Sequence, residues 1–428
     1  MASRECSAGL GLDLDLEGGV GGAVRAALAG LDGAPALAIV EVCAPGEPAA
    51  AGRALGEAGR SIREAAPDCT VVGSSAHGVI GGGDSVEMRP AVSVWMAMLG
   101  GSRARGFRIG SVPAPAGGVA ITGLPELRPD DRIALLLADP WTLPMDEVVA
   151  SFARVDGDLP VVGGMASGAT RHGDSRLMLD GAVFDNGAVG VVLDQASPVR
   201  AVVSQGCRPI GDAMTVTAAQ GHTIGELAGR PAAERLRDVV ASLDAEEQAL
   251  VVRGLHIGIA HAGSGDGASA ADYVVSGILG VDAATGAIAV GDEVPVGGVV
   301  RLHLRDADSA DADLRSVVSA IRPADARGPT GAYLVTCNGR GGAMFMSSDH
   351  DAALVREGLG TDAVGGFFAA GEIGPVGGSN HLHGFTAVVL VVDAAVEPGA
   401  VEIARSTIVG PDEYSVDIDA ELRALLEP

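Results

Sequence analysis

The 428-residue sequence contains no lysine: all 29 of its Lys-plus-Arg positions are arginine, set against 55 acids for a formal net charge of −26. With no basic stripe to neutralise phosphates, neither nucleic acid nor an anionic membrane is an expected partner. Cysteine is scarce and scattered. Cys6, Cys43, Cys69, Cys207 and Cys337 form no CxxC pair and no closely spaced Cys/His set, so no metal is expected and reduced thiols in the cytoplasm fit best. The N-terminal stretch "MASRECSAGLGLDLDLEGG" is acidic where a secretory signal would be basic and then apolar. The longest apolar runs, such as "IALLLA" and "FTAVVLVV", are of strand length and are interrupted by Asp139 and Asp393, too short to cross a bilayer. A P-loop, HExxH, and a strand-borne GxGxxG with its distant acid are absent, which argues against nucleotide and metalloprotease chemistry; no cofactor is expected.

What is present reads as globular. Hydrophobic residues make up 47% and charged residues 20% of a chain too long for one ordinary domain, so two domains, each burying its own core, are expected. One pattern occurs three times: strand, loop, helix, strand, glycine loop, strand. The first copy runs "ALAIVEV", "CAPGEP", a helix over 49–64, "CTVVGSSAHGVIGGG" and "AVSVWMAML". The second runs "RIALLLA", "DPWTLP", a helix over 145–154, "LPVVGGMASGATRHG" and "AVGVVLD". The third runs "GAYLVT", "CNGRGG", a helix over about 350–357, "DAVGGFFAAGEIGPVGG" and "FTAVVLVV". Short Val/Ile/Leu runs bounded by Gly, Pro and Asp define the strands. The first two strands of each unit, joined through a helix, are expected to be parallel and the third antiparallel. The fold class is therefore α/β (mixed α+β), with mixed sheets covered by helices. A division near residue 200 separates the copies. Pro231 opens a helix to about Leu243, and "GLHIGIA" with "YVVSGILGVDAATGAIAV" reads as a degenerate fourth unit.

Several of these segments together resemble one family, the FIST proteins, built from a FIST_N and a FIST_C domain. The resemblance rests on "VVGSSAHGVI", "LPVVGGMAS", "SQGCRPIG", "RLHLRDADSADADL", "TCNGRGGAMF", "SDHDAALV" and "GGFFAAGEIGPVGGSNHLHGFTAVV", which span roughly residues 35 to 395. It implies a FIST_N-like domain over 34–200, a FIST_C-like domain over 201–410, and a bacterial sensory module for signal transduction that binds a small ligand, amino acids or related metabolites being expected. Cys337, Asn338, Gly339 and Arg340 match the family's CNGRG element; Gly371, Glu372, Ile373, Gly374, Pro375, Gly377 and Gly378 match its GEIGPVGG element. The sequence carries no attached kinase, chemoreceptor, F-box or cyclase segment, so a free-standing protein is expected.

Ligands of open α/β sheets collect beyond the carboxyl ends of parallel strands, where this chain keeps its unusual residues. Backbone amides of "NGRGG" can form an anion nest and Arg340 a bidentate carboxylate clamp. Glu372, flanked by glycines, suits a ligand ammonium group; its plainer role is an ion pair with Arg340. Asn380, His383, Ser74, Ser75, Gly163, Gly164 and Ser167 complete the candidate ligand-binding set with the residues above. Cys337 is either a small buried hydrophobe or a nucleophile. His381 and His383 have a spacing that metals can use, although one packed and one solvated histidine explains it with less. "GSSAHG" lacks the last glycine of GxSxG, and "DADSADADL" lacks the glycine and glutamate of a calcium loop and reads instead as a helix start capped by Asp308 or Ser309. No catalytic residue is assigned. The competing readings are an acyl- or amide-transfer or hydrolytic enzyme using Cys337 and His383, and a protein-interaction scaffold.

Overall fold

The computed structural model describes residues 4–114, 118–154, 158–251, 254–260, 273–321 and 328–394. All three expected units form. In each, the first two strands are parallel: Leu37–Cys43 with Thr70–Ala76, Asp131–Ala138 with Val161–Met165, and Pro329–Cys337 with Val364–Ala369. The third strand, Ala91–Ala97, Ala188–Asp194 or Ala387–Asp393, lies antiparallel on the far side of the first. A strand that precedes each unit, Cys6–Gly11, Arg105–Pro113 or Val199–Ser204, extends the sheet beyond the third; it is an edge strand in the first and last, while Val119–Thr122 pairs beyond Arg105–Pro113 in the second. Residue 200 falls in the last of these edge strands. The connecting helices are Pro48–Ala65, Met145–Ala150 and His350–Leu359; the second is shorter than the spacing of Val148, Val149 and Phe152 implied.

The glycine loops are more than turns. Each carries a β-hairpin, and each hairpin leaves its own unit and completes the sheet of another. Gly78–Gly81 and Asp84–Glu87 of unit one pair with Val364–Ala369 of unit three. Leu177–Leu179 and Ala182–Phe184 of unit two pair with Thr70–Ala76 of unit one. Glu372–Val376 and Ser379–His383 of unit three pair with Val161–Met165 of unit two. The exchange is cyclic and closes on itself. The two residues at each hairpin tip, Gly82–Gly83, Asp180–Gly181 and Gly377–Gly378, all have φ between 49° and 87°, the type I′ turn that matches the twist of two-residue hairpins.

Alternation along the strands sorts their faces. Leu37 and Ile39, Ile133, Leu135 and Leu137, and Tyr333 and Val335 enter one shared core drawn from all three sheets. The opposite faces, with Ala38 and Val40, Ala134 and Leu136, or Ala332 and Leu334, pack separately under the helices. This mixed α+β architecture carries an insertion between unit three and the strand that precedes it: Cys207–Gln220 to Val299–Arg305, a seven-stranded sheet whose core is its own. Its ladders among the described residues are all antiparallel. The segments read as a degenerate fourth unit thus belong to a different kind of element, because they lack a parallel pair joined by a helix. Within it Pro231 caps the helix Ala232–Ser242. Asp306, rather than Asp308 or Ser309, caps Ala307–Ser319, its carboxylate accepting from the Ser309 amide at 3.2 Å.

The parallel strands meet so closely that glycine is required where they cross. Gly163 and Gly366 occupy equivalent positions, opposite Leu136 and Leu334, with φ of 145° and 154°. A β-carbon would lie 1.9 Å from Leu136 O and 1.8 Å from Leu334 O. Gly366→Ala is therefore expected to lower stability by about 3 kcal/mol through strain and backbone displacement. Urea unfolding measures it; a loss below about 1 kcal/mol would show that the strand pair has room to move.

Candidate functional site

Cys337 ends the first strand of unit three. Its amide donates to Thr386 O (3.1 Å), and the Asn338 amide donates to Ala369 O (2.9 Å), so the loop stays tied to both neighbouring strands. Arg340 follows as the residue before the short helix Gly341–Phe345. The inserted sheet reaches this loop through Arg305, which donates to Gly339 O and stacks over the Phe385 ring at 4.2 Å. His256 meets the same ring edge-on at 4.9 Å.

The two anion-binding devices expected here are occupied by the chain itself. Arg340 is fully buried and holds Asp351 bidentately, Nε to Oδ2 at 2.7 Å and Nη2 to Oδ1 at 2.9 Å, while Nη1 donates to Phe385 O at 3.2 Å. Of the glycine amides, Gly342 N is met by Glu87 from the exchanged hairpin of unit one, whose Oε1 accepts from it at 2.9 Å, and Gly339 N by the Cys337 sulfur. Arg340 is thus not the partner of Glu372, as the simpler reading of that acid required. Asp351 also accepts from Thr336 Oγ1 (2.6 Å) and contacts His350 Nδ1 (3.0 Å), and His350 Nε2 lies 2.9 Å from Asp311. Burial alone would raise the Asp351 carboxyl, but the Arg340 charge and these hydrogen bonds hold it well below the usual carboxylate range. Burial would likewise lower His350, and its two carboxylate partners outweigh it, so the imidazole is raised.

Glu372 is fully buried and opens its strand opposite Gly164 on one side and His383 on the other. Its Oε2 accepts from Thr386 N at 3.0 Å; its Oε1 has no hydrogen bond of ordinary geometry among the described residues. The neighbouring Cys337 thiol lies against this carboxyl and is also met by Gly339 N at 3.4 Å and, weakly, Asn338 Oδ1 at 3.9 Å. Burial pushes the Glu372 carboxyl up to about 8, against the Thr386 amide, the nearby thiol and Arg340. Burial and then the Glu372 charge push the Cys337 thiol far up, the opposite of what a thiolate nucleophile needs. His383 Nε2 is 3.0 Å from Gly374 O, and burial lowers its pKa to about 4. Among the described residues no hydrogen bond joins His383 to Cys337, so the arrangement runs against a Cys-His catalytic pair.

The remaining candidate residues divide by location. Gly163, Gly164, Gly371, Ile373 and Gly374 lie with Glu372 where the third hairpin enters the second sheet. Asn380 brackets that junction, accepting from Val161 N (2.8 Å) and donating to Leu159 O (2.9 Å). Ser167 joins all three units: its Oγ accepts from His77 N at 2.6 Å and donates to Phe368 O. Ser74 and Ser75 belong to the junction of units one and two, Ser75 Oγ accepting from Arg176 N at 3.0 Å. Ser74 Oγ donates to Glu41 at 2.6 Å, and Tyr333 OH donates to the other Glu41 oxygen. Glu41, Tyr333, Glu87, Asp351 and Thr386 were not singled out from sequence. Glu41 left a signal, a lone acid inside the apolar run "IVEV"; Glu87 and Thr386 left none. Among the described residues no group of three or more His, Cys, Asp or Glu side chains is disposed to hold a metal ion.

Comparison with known proteins agrees with the motifs around this site. The FIST N domain matches residues 42–230 and the FIST C domain residues 232–375. The chain belongs to the FIST family. An uncharacterized protein of Mycobacterium tuberculosis is 43% identical over 343 residues, covering 78% of this FIST chain and 86% of its own length. An uncharacterized protein of Mycobacterium bovis is 44% identical over 331 residues, covering 76% and 83%. FIST domains are associated with sensory and signal-transduction proteins. Among the described residues of this FIST protein no helix is long and apolar enough to cross a membrane.

Two stability effects follow from the buried charges. Asp351→Ala leaves Arg340 buried without its counter-ion and is expected to cost about 3–5 kcal/mol in urea unfolding; a change below about 1 kcal/mol would mean that water reaches Arg340. The Glu41 carboxyl is pushed by burial up to about 8 from an ordinary 4.5, against its two hydroxyl partners. Between those values the folded chain keeps a proton that the unfolded chain has lost, so this contribution to stability is full below about 4.5 and is lost as pH rises through about 8. Glu41→Gln is expected to shrink the drop in urea midpoint between acidic and mildly alkaline buffer, and an unchanged drop would refute the neutral-acid assignment.

Proposed function

We propose that this FIST protein is a cytoplasmic sensory module that binds an amino acid or related small metabolite at the strand ends of unit three, with Glu372 receiving the ligand's ammonium group. The observation that carries the reading is the buried Glu372 carboxyl, one oxygen of which meets nothing stronger than the Cys337 thiol, at the carboxyl end of a parallel strand pair. A buried acceptor so weakly met is costly, and a ligand N–H would satisfy it. The insertion supports a signalling role, because Arg305 and His256 rest on Gly339 and Phe385 at the same loop, so a ligand that displaces the loop also shifts the inserted sheet. Dispersed free cysteines fit a reducing compartment, and the acidic surface disfavours nucleic acid and anionic membranes as partners.

Burial raises the Glu372 carboxyl to about 8, so it holds its proton near neutral pH and an ammonium ligand draws it off. Thermal denaturation in the presence of millimolar L-amino acids and simple carboxylic acids is expected to show stabilisation by ammonium-bearing members through mass action. Glu372→Gln should reduce that stabilisation and remove the proton release that titration calorimetry in buffers of different ionisation enthalpy detects when the ligand binds the wild type. Stabilisation that is identical in Glu372→Gln would overturn the reading, as would no stabilisation by any member of the panel.

A further inference from the structure

A cavity of about 490 Å³ lies at the opposite end of unit two, where Asp131–Ala138 begins. It is lined by Gly100, Gly101, Ser102, Arg103, Arg105, Arg128, Asp130, Asp131, Asp194 and Ala196, and its volume falls in the range of small-molecule sites. None of the candidate residues discussed above touches it.

Its charges are arranged unequally. Arg105 and Asp131 neutralise each other in a direct ion pair, and Asp131, almost fully buried, also accepts from Arg128 N at 2.7 Å. Arg105 further donates to Glu126 O at 3.3 Å. This inner pair is framework. The guanidinium groups of Arg103 and Arg128 have no hydrogen-bond or ion-pair partner among the described residues, although acids outnumber arginines almost two to one in the whole chain. The Asp130 carboxylate is equally unengaged, and Asp194 is held only by Ala196 N at 3.0 Å. A second, independent feature points to an occupant: Ser102 is 7% exposed, and its hydroxyl has no partner among the described residues. Its loop is shaped by Gly100 and Gly101, with φ of 60° and 93°, conformations that side chains with a β-carbon rarely adopt.

We propose that this cavity is a second binding site, for a small zwitterion, with Arg103 and Arg128 taking a carboxylate and Asp130 and Asp194 facing an ammonium group. Subtracting the Arg105–Asp131 pair leaves two cationic and two anionic side chains around one space. A lone anion would meet the two aspartates and a lone cation the two arginines, whereas a molecule carrying both charges complements both sets. Paired guanidiniums are suited to carboxylate recognition by geometry as well as charge. The site stands independently of Glu372, from which it differs in unit, strand end and chemistry.

The test uses titration calorimetry on the full chain in a Glu372→Gln background, which silences the other proposed site, with glycine and L-alanine as zwitterions, acetate as the carboxylate alone and ethylamine as the ammonium alone. The expected result is saturable binding of a zwitterion but of neither half-molecule. Arg103→Ala combined with Arg128→Ala should weaken it about tenfold or more. Asp130→Asn should narrow the preference for the zwitterion over acetate. Both arginines are exposed, so the double substitution is expected to leave the melting temperature of that background unchanged without ligand. Binding that survives the double substitution, acetate binding as strongly as glycine, or no zwitterion binding in that background would each overturn the proposal. Loss of zwitterion binding in Glu372→Gln alone would assign the ligand to the other site and equally refute this one.

Discussion

No unit of this chain can finish its own sheet. The outer edge of each second parallel strand is a row of backbone donors and acceptors, and the hairpin that pairs with it is supplied by another unit. Unpaired, that edge would be both energetically costly and open to association. The cyclic exchange therefore couples the three units in a way that side-chain packing alone would not: displacing one hairpin exposes an edge elsewhere. The shared core has the same dependence, since Trp95 of unit one lies 5.7 Å from Tyr333 of unit three, and Tyr333 in turn reaches Glu41 of unit one. Gly164 is kept small by the same constraint, because a β-carbon there would meet Ala369 and Gly371 of unit three within 2.9 Å.

Against this three-fold background, unit three departs from symmetry at the loop after its first strand. Strand register places Cys43, Asp139 and Cys337 at equivalent positions, each three residues beyond the position opposite its crossing glycine. Cys43 donates to His77 O at 3.1 Å, and Asp139 Oδ2 accepts from Trp141 N and Thr142 Oγ1, so both are engaged by nearby loop atoms. Cys337 is likewise met by loop atoms, but it also lies against the Glu372 carboxyl, and the loop after it is overlaid by the inserted sheet. Only unit three is preceded by that insertion. An element packed under its own core yet touching the core of the fold at one loop can respond to that loop without disturbing the exchanged hairpins.

The repeats were legible because hydrophobic patterning and glycine placement are local properties. The parallel and antiparallel pairs, the long helix after Leu37–Cys43 and the helix opened by Pro231 follow from residues close together in sequence. The hairpin exchange was not legible, since "GEIGPVGGSN" specifies a tight two-residue turn but not which sheet the resulting hairpin joins. The same limit governed the site. "CNGRGG" announces an anion nest and a guanidinium, yet Glu87 and Asp351, which occupy them, come from another unit and from the following helix. Glu372 stood out by its glycine flanks, but its lack of an Arg partner depended on where Arg340 had already been spent in pairing. Long-range partners decide the chemistry of local motifs.

That allocation of charge fixes the state of the Glu372 carboxyl. Had Arg340 faced Glu372, the carboxyl would be ionised and satisfied, leaving the site inert toward cations. With Arg340 committed to Asp351, burial keeps Glu372 protonated near neutral pH, and its proton becomes the exchangeable species. A neutral ligand would have to accept that proton's hydrogen bond in place, whereas a cation releases it and gains an ion pair in a medium where such pairs are strong. The cost of ionising a buried acid is offset only by a positive charge close to it, and the nearby guanidinium, Arg340, is committed to Asp351.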